Sequence, residues 1–140
     1  MTTGGAIACK LLDSFIAGDM AGAVSTIHAD CVVHESEALP YPGDWHGPDG
    51  FTTLVSTMVG LFDVTFERYE VIEQGDGASM RAFATFTSRT TGRSLSTSIV
   101  EIYRFQDGQI VDADIYYKDP GAIRELTVPS VAGVQEQVGV

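Results

Sequence analysis

Residues 94–119 read SLSTSIVEIYRFQDGQIVDADIYYKD, two alternating runs joined at Asp107-Gly108. Asp-Gly between such runs is the strongest short hairpin signal. In an extended chain, successive side chains point to opposite faces. Ile99, Glu101, Tyr103 and Phe105 therefore share one face of the first run, and Glu101 is its only charge. In the second run Val111, Ala113 and Ile115 alternate with Asp112 and Asp114, as on a strand with a solvated outer face. Two further runs of this kind come before them, VTFERYEVIEQ (64–74) and SMRAFATFTSRT (79–90), with the turn-rich connectors GDG and TTGR. The second half of the chain thus reads as four long antiparallel strands.

The first half has a different period. In residues 5–31, Ile7, Leu11, Leu12, Phe15 and Ile16 recur at helical spacing, "AGD" interrupts, and Met20, Val24 and Ile27 carry a second apolar stripe. CVVHES (31–36) is a short strand rich in β-branched residues. EALPYPGDWHGPDG (37–50) holds three prolines and three glycines and reads as a loop, after which Pro48 suits the first turn of a helix running to Phe62. Helices followed by a strand meander predict an α+β domain: a curved antiparallel sheet wrapped around three N-terminal helices as a cone, with an internal apolar pocket. A single domain is expected over 1–126, with a fraying tail at 127–140 that could also dock on a partner subunit.

The 140 residues, 44% of them hydrophobic, suit one packed globule. The formal charge of −11, with only eight Lys and Arg, argues against nucleic acid and against anionic membranes. No apolar run reaches the ~20 residues that span a bilayer, and the first residues lack the regions of a signal peptide, so a cytoplasmic protein is expected. Cys9 and Cys31 are too isolated to suggest a disulfide and lack the basic neighbours of a reactive thiolate.

The element order, with AGDMAGAVSTIHADCVVHE early, LPYPGDWHG between and VEIYRFQDGQIVDADIYYKDP late, resembles the nuclear-transport-factor-2-like superfamily over about residues 5–126. That superfamily includes SnoaL-like polyketide cyclases, ketosteroid isomerases and limonene epoxide hydrolases. The hydrolase pattern is not matched: its Arg and Asp fall on Ala82 and Ala84, and its last-strand Asp on Ile115, beside Asp114. The isomerase pattern is matched in part. Its general base falls on Glu35 and its protonated oxyanion-hole carboxyl on Glu101, while its tyrosine falls at or beside Leu11. The resemblance implies a cofactor-independent enzyme acting on a small apolar carbonyl substrate, and a homodimer formed through the open sheet face.

Read without the family, Cys31, Val33 and Glu35 share one face of their strand, with His34 on the other. Two carboxyls in one apolar cavity should split their pKa values, one accepting and one donating a proton. The expected roles are Glu35 as base and protonated Glu101 as donor, with Tyr41, Trp45, His46 and Tyr103 shaping the cavity. Glu35 can equally be a solvated strand end, Glu101 a partner of Arg81 or Arg104, Trp45 a core anchor, and Tyr41 an exposed loop residue or a substitute donor for Leu11. Asp114, if a bulge reverses its face, and His34 are held in reserve as acid or base groups. His34, His46, Glu35 and Glu37 match no metal-ligand spacing, so no metal is expected. A non-catalytic ligand-binding or dimerisation module, and a cyclase or epoxide-opening enzyme using Asp114, are the competing readings.

Overall fold

The structure, a computed structural model, describes residues 3–129. Helix α1 (Gly4–Ile16) begins where the Thr3 side chain accepts from the Ala6 amide, and Oε2 of Glu73 accepts from the Gly5 amide at 2.7 Å. A carboxylate at this end also complements the helix dipole. Gly18, at φ +73°, ends the helical path, and Asp19 caps the short α2 (Met20–Val24). Strand β1 (Ile27–Glu35) follows, then β2 (Gly43–His46), α3 (Gly47–Leu61), β3 (Phe62–Gln74), β4 (Gly77–Ser88), β5 (Ser94–Gln106), β6 (Gln109–Tyr117) and α4 (Pro120–Thr127).

The six strands form one sheet in the order β2-β1-β6-β5-β4-β3. It is curved but not closed into a barrel, with β2 and β3 at its two edges. All neighbours are antiparallel except β1 and β6. The hairpin between β5 and β6 turns at Asp107 and Gly108, whose φ values of 54° and 75° are those of a turn with both central residues left-handed.

Along β4, Ala78, Met80, Ala82, Ala84, Phe86 and Ser88 are buried and alternate with more exposed residues. The alternation in β3 breaks once: Phe66 pairs with Ala84 and Arg68 with Phe83, leaving Glu67 as the extra residue of a bulge. Phe62, Val64 and Phe66 face in before it, and Tyr69 and Val71 pack inward after it. A bulge of this kind bends its strand. Helices α1 and α3 fill the concave side, where Ile7, Leu11 and Leu12 of α1 and Phe51, Leu54 and Val55 of α3 are buried.

Three elements differ from the sequence reading: first, α2 stops at Val24 and β1 begins at Ile27, which was expected on the second helix, because Ile27 already pairs with Ile110 of β6. Residues 43–46, expected in a loop, form the edge strand β2, pairing Val33 with Trp45 and His34 with Asp44. A four-residue strand between prolines and glycines carries too little periodicity to stand out. Helix α4 was not expected; Asp119 caps it, Pro120 opens it, and Ile123 and Leu126 bury one side. The expected tail lies outside the described residues from position 130 onward.

Candidate active site

Between the concave sheet and the helices lies a cavity of about 90 Å³. Its walls are apolar, drawn from α1 (Leu11, Leu12, Phe15), α3 (Leu54, Val55, Met58) and the inner faces of the strands. Among the described residues, four lining side chains carry an oxygen or nitrogen: Glu35, Glu101, Tyr103 and Tyr117.

Strand geometry brings the two glutamates together. On β5, Glu101 pairs with Ile115 of β6, and on β1, His34 pairs with Asp114, so the next residue, Glu35, adjoins Ile115 from the other side. Strands lie ~4.8 Å apart, which sets the two glutamate backbones about 10 Å apart with Ile115 between them. Their side chains reach the same cavity. They are held differently. The Tyr103 hydroxyl donates to Oε1 of Glu101 at 2.5 Å. Glu35 Oε1 is buried and has no hydrogen-bond partner among the described residues.

Neither glutamate pairs with a cation among the described residues. Arg81, a possible partner of Glu101, points outward, bonds Glu70 and lies near the Phe83 ring. Burial therefore acts on both carboxyls unopposed by positive charge. The Glu35 pKa is pushed up to about 9 by desolvation and then by the Glu101 charge. Desolvation also raises Glu101, while the Tyr103 hydrogen bond pulls the other way by favouring its charged form. The Tyr103 bond thus favours the charged form of Glu101, no such donor reaches Glu35 among the described residues, and Glu35 keeps its proton at neutral pH.

The remaining sequence candidates lie in several places. Tyr103 lines the cavity and is buried. Tyr41 is also buried, not exposed on a loop, but stands behind the wall, its hydroxyl 2.7 Å from that of Tyr117. Trp45 packs against the core beside α3 and does not line the cavity, and its buried indole N–H has no partner among the described residues. His46 is exposed at the N-cap of α3 and makes no capping bond. Both miss the cavity because the pairing of β2 with β1 holds this segment at the sheet edge.

Asp114 lies on the outer face, where it accepts from the Tyr116 hydroxyl; β6 undergoes no face reversal there, since Ala113, Ile115 and Tyr117 still point in. That removes the reading in which Asp114 acts in the cavity. His34 is also outside it, with Nδ1 2.8 Å from Asp44 and Nε2 2.8 Å from Asp112. Desolvation lowers its pKa, but the two flanking carboxylates outweigh this and hold it above its ordinary value. No group of three or more His, Cys, Asp or Glu is arranged to hold a metal among the described residues. Burial pushes the Cys31 thiol up to about 11, which leaves it a core residue and no nucleophile.

The sequence reading missed Tyr117. The signal was present, because the alternation Ala113, Ile115, Tyr117 places it on the inner face, but the reading of that run stopped at Ile115.

The SnoaL-like domain model matches residues 9–113. The chain belongs to the SnoaL-like domain family. The match spans α1 through the middle of β6, so both glutamates of this SnoaL-like domain lie inside it and Tyr117 just beyond. No curated protein matches the chain. Among solved structures, an NTF2-like protein from Burkholderia thailandensis has a TM-score of 0.84 at 21% identity, covering 92% of this chain and all of the other. A provisionally assigned polyketide cyclase from Pseudomonas putida has a TM-score of 0.78 at 14% identity, over 91% of this chain and 100% of its own. TerC, co-crystallised with polyporic acid, has a TM-score of 0.77 at 20% identity, over 86% of this chain and 95% of its own. At these identities the likeness concerns the fold. No helix among the described residues is long and apolar enough to cross a membrane.

Proposed function

We propose that this SnoaL-like domain is a cofactor-independent enzyme that moves protons on a small, largely apolar carbonyl compound, giving isomerisation or cyclisation. The observation that carries this reading is the pair of cation-free carboxyls facing one apolar cavity. Burying a carboxyl without a partner is costly, and a structural role would be served as well by leucine or methionine. The TerC co-crystal, in which a relative in fold was obtained with polyporic acid, supports a small organic ligand here.

Hydrogen bonding favours a split of roles opposite to the one expected from the sequence. Tyr103 donates to Glu101, which suits a carboxylate acting as base. Glu35, without a donor and with a pKa near 9, suits the acid. Glu101 would take a proton from the carbon beside the carbonyl, and Glu35 would deliver one to the position where the electrons settle. Exposed Ile72, Ile102 and Tyr116 on the outer sheet face support a homodimer through that surface.

Carboxyl NMR titration of the glutamates tests the reading. Two signals should titrate above the ordinary range, with Glu35 last. If both titrate near pH 4, the acid/base pair does not exist and the cavity is a binding pocket alone.

A further inference from the structure

Tyr117 is buried, with 8% of its surface exposed, and its hydroxyl has one partner among the described residues, the Tyr41 hydroxyl at 2.7 Å. Two hydroxyls carry two protons, and their mutual bond uses one. The other must go to one of two places. If Tyr117 donates to Tyr41, the spare proton sits on Tyr41, which is 1% exposed and does not line the cavity, so a buried donor is left without an acceptor. That costs ~1–3 kcal/mol. If Tyr41 donates to Tyr117, the spare proton belongs to a residue that lines the cavity together with both glutamates. The second arrangement leaves nothing orphaned once a ligand oxygen or a water arrives. Accepting one hydrogen bond also makes a hydroxyl a better donor of the next.

We propose that Tyr117, oriented by Tyr41, is the hydrogen-bond donor that holds the oxygen of a small carbonyl or phenol-type ligand in this cavity, a role that rests on the acid/base reading above for its catalytic meaning. The placement fits. Tyr117 pairs with Ile99 on β5, two residues along that strand from Glu101, and Glu35 lines the same space from β1. A ligand oxygen on the Tyr117 hydroxyl therefore leaves the carbon next to it close to both carboxyls. The same donor would stabilise the charge that builds on that oxygen when the neighbouring proton leaves. The ligand class follows: neutral, flat and apolar, with an acceptor oxygen, since the free donors lining the cavity are the Tyr117 hydroxyl and the protonated Glu35 carboxyl, with no cation among the described residues.

The test is binding of 4-nitrophenol, followed by its absorbance, to the wild-type protein and to Tyr117→Phe, Tyr41→Phe, Glu35→Gln and Glu101→Gln. Wild type should bind. Tyr117→Phe should bind about tenfold more weakly, the equivalent of one hydrogen bond. Tyr41→Phe should lose less, about threefold, because it removes only the orienting bond. Each phenylalanine variant is checked for folding by its melting transition. Unchanged affinity in a folded Tyr117→Phe, or no binding by wild type, overturns the proposal. The two glutamine variants keep the readings apart. If they leave the colour of the bound probe unaltered at every pH while Tyr117→Phe weakens binding, the carboxyl pair fails and the donor stands. The opposite pattern removes the donor alone.

Discussion

Glu35 and Glu101 flank Ile115 from the strands on either side of it, face the same apolar cavity, and differ in one respect: Glu101 receives a hydrogen bond from Tyr103, while Glu35 receives none from the described residues. This difference ranks two otherwise similar carboxyls, and it makes their variants separable.

General acid/base groups contribute typically ~10²–10⁴-fold to a rate. Glu101→Gln should lower turnover of an identified substrate by that range, with KM little changed. Glu35→Gln keeps a donor but cannot release a proton, so it should lower turnover as well. Full turnover by either variant would remove that residue from the chemistry.

The raised Glu35 pKa makes stability fall with pH. Between its usual value of 4.5 and its folded value of about 9 the folded state binds the extra proton, so the slope is negative. Stability should be fully present below about pH 4.5 for this group and should decline by ~1.4 kcal/mol per pH unit across the window. Denaturant titrations from pH 5 to 9 would show this decline, and Glu35→Gln should flatten it.

Tyr103→Phe removes the only donor on Glu101 among the described residues. A hydrogen bond to the charged form lowers a carboxyl pKa, so its loss should raise that of Glu101 further. NMR titration of Glu101 reads this directly; a downward movement would mean that Glu101 is the proton donor of the pair.

Phe86 is fully buried and meets the Phe62 ring edge-on, with centroids 5.6 Å apart. Phe86→Ala should cost ~3–5 kcal/mol of unfolding free energy, because helices and sheet cannot both close on the gap. A loss under 1 kcal/mol in chemical denaturation would show that the cavity floor collapses freely.

At the sheet edge, His34 joins β2 and β6 through Asp44 and Asp112. Its pKa is raised, so this link is complete below the unfolded histidine value and weakens as pH rises through the higher folded value. Hydrogen exchange over residues 43–46 should quicken across that range in wild type. In His34→Gln protection relative to the intrinsic, base-catalysed exchange rate should be low and should not change with pH.

Much of this was legible from alternation alone. Glu101 stood out as the one charge on an apolar strand face, and Glu35 shared a face with Cys31 and Val33, which are both buried. The fold followed from the change of period near Phe62. What could not be read depends on contacts between distant segments. Only the pairing of β1 with β2 shows that Trp45 and His46 stay at the edge, and only the register of β6 against β5 sets Tyr117 opposite Ile99. The split of proton roles proposed above turns on the Tyr103 bond to Glu101, two residues apart on one strand. Both were named as site residues, yet nothing in their spacing says that one donates to the other.

Glu67 offers a way to separate the shape of the bowl from what lines it. Glu67 and Arg68 both point outward, and Glu67 accepts there from the Thr85 hydroxyl. Deleting Glu67 would let β3 run flush along β4 while Phe66 stays inside and Tyr69 still arrives on the inner side. The container would flatten with every inward group kept in its place, so a single-residue deletion could adjust the depth of the chamber independently of its chemistry.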